Sequence, residues 1–229
     1  ETDGYVSGQQ ISGQFGVSRT AVWKVIRQLQ EEGYQVEAVR NKGYHIVDSP
    51  DVMTKEELSS LINTRWAGRN ILYYDVTDST NLRIKQAGDE GAPHGTLAVA
   101  DRQTAGRGRR GRTWESPAGS SIYMSILLRP EIAPNKASML TLVMALSVAE
   151  GIRQCISQPG CPELQIKWPN DVIINGKKVV GILTEMSSQI DYINHVTVGV
   201  GINVNMTDFP EEIAQTATSL RIECGHTVK

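Results

Sequence analysis

The sequence predicts an α+β fold: a mixed, mainly antiparallel sheet with helices on one side, preceded by a winged helix-turn-helix. Three observations predict it. In the larger part of the chain, alternating apolar runs of strand period outnumber runs of helical period. Those runs join mostly through short turn signals, of which Asn175-Gly176 is the strongest. Residues 1–48 follow another plan, two helical stretches and then a hairpin.

In that first segment, Ser7 caps a short helix over Gly8–Phe15, and Gly16-Val17 make a turn. Ser18 caps a second helix that runs from Arg19 to Glu32 and stops at Gly33, a natural left-handed position. Ala21, Val22, Val25, Ile26 and Leu29 form one apolar stripe, with Arg19, Thr20, Trp23, Lys24 and Arg27 on the opposite face. The runs Gln35–Val39 and Tyr44–Val47 then flank a basic tip, Arg40-Asn41-Lys42-Gly43. This order predicts a DNA reader. Arg19 and Thr20 lie nearest the bases, Lys24 shares their face, and Arg40 and Lys42 meet phosphates from the wing. A packing or dimerisation module of the same outline is the alternative. The usual first helix of such a module is missing, so the chain reads as trimmed at its start.

Residues 49–69 form a polar linker and a helix, opened by Thr54 and Glu57 as a capping box and ending near Ile62. The main domain, 70–229, follows. Strands are expected at Asn70–Val76, Thr96–Ala100, Ser121–Leu128, Leu164–Trp168, Asp171–Ile174, Lys178–Glu185 and His195–Val204. A helix is expected over Leu82–Ala87, and a long, largely buried one from about Lys136 to Ile156.

Composition narrows the function. The 229 residues are 40% hydrophobic and 21% charged, enough for one sizeable core plus a small module. A net charge of -2 excludes a basic field over the whole molecule, so any nucleic-acid surface is a local patch. The longest apolar run, Met139 to Ala149, is too short to span a bilayer, and no signal peptide is visible. Cys155, Cys161 and Cys224 have no metal-ligand spacing and read as free thiols of a cytoplasmic protein.

One loop stands out. Residues 101–114 carry five arginines and three glycines in fourteen positions, between two strand-like runs. Glycines let the backbone approach a ligand closely, and arginines offer forks of N–H donors to phosphate and carboxylate oxygens. Such a loop is expected to be mobile when empty and to fold down on an anionic ligand, with Trp114 as a flat cover. Four more polar clusters interrupt the strands. Ser79-Thr80-Asn81 offers hydroxyls, an amide and free helix N–H groups. Lys167-Trp168-Pro169-Asn170-Asp171 places a cation and a carboxylate between apolar runs. Lys177 and Lys178 open a strand, and its two-residue period sends only one of them inward. Gly199-Val200-Gly201-Ile202-Asn203 lacks the third glycine and the helix of a dinucleotide site. Cations and amides abound while nucleophiles and general bases are scarce, which suits phosphoryl or nucleotidyl transfer.

Taken together, Asp78-Ser79-Thr80-Asn81, Gly106-Arg107-Gly108-Arg109-Arg110-Gly111-Arg112, Lys167-Trp168-Pro169-Asn170-Asp171, Lys178 through Gly181-Ile182-Leu183, and Gly199-Val200-Gly201-Ile202-Asn203 resemble the motifs of the biotin protein ligases. They occur in the family's order and cover about residues 70–205. With the winged helix in front, the chain is similar to the bifunctional type, which also represses biotin genes. The resemblance implies a catalytic fold like that of class II aminoacyl-tRNA synthetases. It implies that biotin and ATP, with Mg²⁺, give biotinyl-5′-AMP, and that a lysine of biotin carboxyl carrier protein then takes the biotinyl group. Implied biotin contacts are Ser79, Thr80, Asn81, Gln103, Arg107, Gly108, Arg109 and Lys178, with Lys178 and Arg109 catalytic. Implied nucleotide contacts are Arg109, Arg110, Trp114, Lys167, Asn170 and Asn203, and Asp171 helps to place Mg²⁺. Operator DNA of biotin genes and a homodimer in the adenylate-bound state are implied partners, and a membrane is not. The family's small C-terminal β-barrel is absent from this chain, which reads as trimmed at that end too. The alternatives are a lipoate or octanoyl ligase of the same fold, and an inactive biotin-sensing repressor.

Overall fold

In the computed structural model, which describes residues 4–156, 161–190 and 192–229, the chain divides into two units, Glu1–Val52 and Met53–Lys229. The smaller unit is built on its caps. The Ser7 hydroxyl accepts from the Gln10 N–H and the Gln10 side chain accepts from the Ser7 N–H, opening helix α1, Gly8–Phe15. Ser18 opens α2, Arg19–Glu31, by accepting from the Ala21 N–H. Strand β1, Gln35–Val39, pairs antiparallel with β2, Gly43–Asp48. Val22 is buried, whereas Val25 of the same stripe stays exposed. The face carrying Arg19, Thr20, Trp23, Lys24 and Arg27 points to solvent.

The larger unit begins with α3, Lys55–Leu61, capped by Thr54. Then come β3 (Ile71–Thr77), α4 (Thr80–Asp89), β4 (Leu97–Gln103), β5 (Ser121–Leu128) and α5 (Met139–Cys155). They are followed by β6 (Gln165–Lys167), β7 (Asp171–Ile174), β8 (Lys177–Ser188), β9 (Ile193–Asn203) and α6 (Leu220–Cys224). The strands form one sheet in the order β3-β4-β5-β9-β8-β7-β6. Only β3 and β4 run parallel, joined through α4 as a crossover. The other neighbours are antiparallel, and Asn175 and Gly176, both at positive φ, turn β7 into β8.

The expected α+β class with a mixed, mainly antiparallel sheet holds, but its helices are not on one side. Successive strand residues face opposite ways. Ile126 packs in the cluster that holds Ala145, Val148, Ala149 and Ile152 of α5, while its neighbour Leu127 packs with Ile84 of α4. The two helices therefore cover opposite faces. The long helix is also shorter and less buried than expected. Residues Pro134–Lys136 form a separate 3₁₀ turn, and Met139, Leu142, Val143 and Leu146 are exposed. Two alanines let the buried side of α5 lie close to the sheet, which leaves these larger residues facing out.

A second correction concerns the thiols. Cys161 and Cys224 form a disulfide across Cα atoms 4.5 Å apart, and only Cys155 is free. Helix α6 lies back beside the segment entering β6, a proximity that no sequence spacing announces. Among the described residues, no helix is long and apolar enough to cross a membrane.

Candidate functional site

Because β3 and β4 are parallel, their C-terminal ends arrive side by side, with Thr77 opposite Gln103. Helix α4 starts at that edge and delivers Ser79, Thr80 and Asn81, all at least 96% buried. Gln103 Oε1 accepts from the Thr80 N–H at 2.8 Å, and Gln103 Nε2 donates to Ser116 Oγ at 2.9 Å. From the next strand, Ser125 Oγ donates to Asn81 Oδ1 at 2.6 Å. Asn81 Nδ2 in turn donates to Glu185 Oε2 of β8 at 2.9 Å. Gly199 lies directly beneath, where a Cβ would overlap Asn81 Oδ1. A side chain there is excluded by a hydrogen-bonded amide that has nowhere to go.

Asp78 fixes the turn into α4. Burial pushes its pKa up, yet the Ser79 N–H, the Arg83 guanidinium and the Thr77 hydroxyl outweigh that and hold the carboxyl below its ordinary value. The Ser79 N–H contact is 2.6 Å and the Arg83 ion pair 2.9 Å.

The arginine loop folds back on itself. The Thr104 and Ala105 N–H groups donate to Thr77 and Asp78 carbonyls, Trp114 N–H donates to the Gly106 carbonyl, and Gly108 N–H to that of Arg112. Arg110 and Gly111 turn the tip at φ of 57° and 73°. This return carries the Trp114 indole over β8 and β9, against Gly181 and Gly201, where any Cβ would strike the ring. Lys178 Nζ sits 5.2 Å from the indole centroid and 2.7 Å from Asp171 Oδ1. Lys178 is the inward lysine of the pair; Lys177 is exposed.

Two adjoining cavities result. The first is lined by Ser79, Thr80, Asn81, Gln103, Arg107, Gly108, Arg109 and Lys178, the full set expected at biotin. Trp114, Asn170 and residues 181–183 and 199–201 complete it. The second holds Arg109, Arg110, Trp114, Asn170 and Asn203 of the expected nucleotide set, together with Asp171 and Lys178. Lys167 is not brought to either; it is exposed on the edge strand β6. Gly108, Arg109, Trp114, Asn170 and Lys178 belong to both cavities. Arg109 Nη1 donates to Asn170 Oδ1 at 3.0 Å, which holds the guanidinium at the junction. Asn203 Nδ2 donates to the Thr218 carbonyl at 2.9 Å.

Sequence reasoning missed several residues here. Ser116 and Ser125 orient the cleft amides, and Phe209, Ile213, Thr216 and Ala217 wall the second cavity. The 205–217 stretch has no regular period, and the serines gave only an ordinary polar signal. Asp171 also differs from its expected setting. Its carboxylate is engaged by Lys178, and no cluster of three His, Cys, Asp or Glu ligands exists among the described residues. Mg²⁺ favours six oxygen ligands and keeps several waters. Asp171 is thus a single carboxylate at the second cavity, to be joined by substrate phosphates if it is to help hold the ion.

In the smaller unit, Thr20, Lys24 and Arg40 are exposed, and Lys42 Nζ lies 5.6 Å from the Tyr5 ring centroid. Arg19 is exposed too, and its guanidinium donates to Gln9 Oε1 of α1.

Comparison with known proteins adds to this geometry. Residues 73–203 match the Biotin/lipoate A/B protein ligase family, and residues 1–45 match an HTH domain. The chain is 46% identical over 226 residues to the bifunctional ligase/repressor BirA of Bacillus subtilis, covering 98% of this chain and 68% of that protein. It is 39% identical to the biotin protein ligase of Aquifex aeolicus solved with biotin and ATP. That match has a TM-score of 0.58 and covers 69% of this chain and 62% of the other. The biotin protein ligase of Leishmania major in complex with biotinyl-5-AMP matches with a TM-score of 0.56 at 25% identity, over 70% of this chain and 67% of that one. The chain thus spans about two thirds of the length of these relatives.

Proposed function

The chain belongs to the Biotin/lipoate A/B protein ligase family, and from that premise we propose that it is a bifunctional biotin protein ligase and biotin-responsive repressor. The observation that carries the reading is the pair of cavities joined through Arg109 and Lys178. Biotin occupies the first cavity and ATP the second. The biotin carboxylate attacks the α-phosphorus, and pyrophosphate leaves. Both reactants are anionic and repel one another, so cations placed between them lower the barrier. Lys178 faces the carboxylate, and Arg109 screens the phosphates. Arg110 adds charge on the phosphate side, and Asn170 and Asn203 hold the nucleotide. Mg²⁺ would neutralise phosphate charge, and Asp171, which lines the second cavity, would help to hold it.

The product is a mixed anhydride that water destroys. The folded loop with Trp114 encloses it until the ε-amine of a carrier lysine attacks the acyl carbon and AMP leaves. Biotin carboxyl carrier protein is the acceptor in this reading, which places the protein in the cytoplasm. The winged helix addresses the operator of biotin genes. A loop ordered over the adenylate completes a homodimer surface, and a dimer grips two half-sites. Incubating the protein with biotin and Mg-ATP yields biotinyl-AMP by mass spectrometry, and lipoate in place of biotin yields no adenylate. Adenylate from lipoate alone makes the protein a lipoate ligase. None from either substrate in the protein extended to its relatives' length leaves a sensor without catalysis.

A further inference from the structure

Glu185 lines neither cavity, yet it ties the arginine loop to the floor of the first. In β8 it stands opposite Thr197, on the sheet face that also carries Leu183 and Gly199 and over which Asn81 of α4 lies. Its Oε2 accepts from Asn81 Nδ2 at 2.9 Å, and its Oε1 lies 3.3 Å from Arg107 Nη1. Asn81 is buried and fixed from its other side by Ser125. The carboxylate is therefore anchored at the rigid end and reaches out to the loop with its other oxygen.

Arg107 sits between Gly106 and Gly108, at the point where the loop leaves its pinned base. Four arginines, Arg107, Arg109, Arg110 and Arg112, crowd this turn, and their mutual repulsion favours opening. A counter-ion on Arg107 offsets that repulsion at the hinge. Arg107 also lines the first cavity, so its guanidinium is paired with Glu185 rather than free to screen the reactants.

We propose that Glu185 is a positioning residue that latches the arginine loop to the N-terminus of α4 and so sets how long the adenylate stays enclosed. The adenylate part of this proposal rests on the ligase reading above. The latch itself does not.

The test compares Glu185→Gln, Arg107→Gln and the double variant in the full chain. Glutamine at 185 keeps an acceptor for Asn81 and removes only the charge that Arg107 meets. Hydrogen–deuterium exchange over residues 104–114, measured without ligand, should rise roughly threefold to fivefold in each single variant, the range that a partly exposed ion pair supports. The double variant should exchange no faster than either single one. Pre-formed biotinyl-AMP should be lost from Glu185→Gln faster by a similar factor, with the thermal midpoint unchanged. Parental exchange in Glu185→Gln overturns the proposal, because Glu185 then merely supports Asn81. Additive effects of the two substitutions overturn it as well. If the parental protein forms no adenylate, the ligase reading fails while the exchange measurement still decides the latch.

Discussion

Lys178 and Arg109 line both cavities, and each is held there by a neighbour, Asp171 or Asn170. Replacing either by alanine removes charge where it develops during attack. Adenylate formation should slow by on the order of 10²–10³, the usual loss for one preorganised group. Rapid-quench measurement checks this, and an unchanged thermal midpoint shows that folding is intact. Gly199→Ala acts differently, by driving a methyl into Asn81. It should destabilise the protein by about 1–3 kcal/mol, as overpacking does, and abolish biotin uptake in titration calorimetry. Asp78 carries the acid response. Its folded pKa lies below the ordinary 3.8, so its stabilising contribution is present above that value and lost as pH falls through the folded pKa. The fall in melting temperature from pH 5 to pH 3 should therefore be steeper in the parent than in Asp78→Asn.

Among the elements, the β7–β8 hairpin sets the position of Lys178. Its turn holds Asn175 at φ 50° and Gly176 at φ 80°. Gly176→Val forces a branched side chain into the left-handed region, at a cost of about 1–3 kcal/mol. Chemical denaturation should show that loss, and adenylate formation should slow with it because Lys178 is the second residue of the strand that leaves the turn. This hairpin and β5 were plain in the sequence, since alternation and an Asn-Gly turn are local signals. Alternation also identified the two faces of each strand. It did not say which face a helix would cover, and that is why α4 and α5 were placed on one side. Nor did it pair Cys161 with Cys224, whose meeting depends on where α6 returns. The cleft residues were legible because they cluster in short polar interruptions of apolar runs. Glu185 was not, because a lone acid in a strand gains meaning only beside Arg107 and Asn81.

At the scale of the whole molecule, the proposal joins an enzyme to a DNA reader under one ligand. With a net charge of -2 over the chain, DNA affinity rests on a few local cations and should fall with salt. Fluorescence anisotropy with operator DNA should show binding at least about tenfold tighter with biotin and ATP than without, a coupling of ordinary size. Equal affinity in the two conditions removes the repressor half of the proposal and leaves the ligase half standing.

The seat of Trp114 has one more consequence. An indole wedged between two glycine-bearing strands beneath a lysine ammonium is an optical probe that needs no label. Any occupant of the first cavity must slide along that ring or push it aside, so with Trp23, Trp66 and Trp168 replaced by phenylalanine, intrinsic emission can follow the cleft filling and emptying in real time.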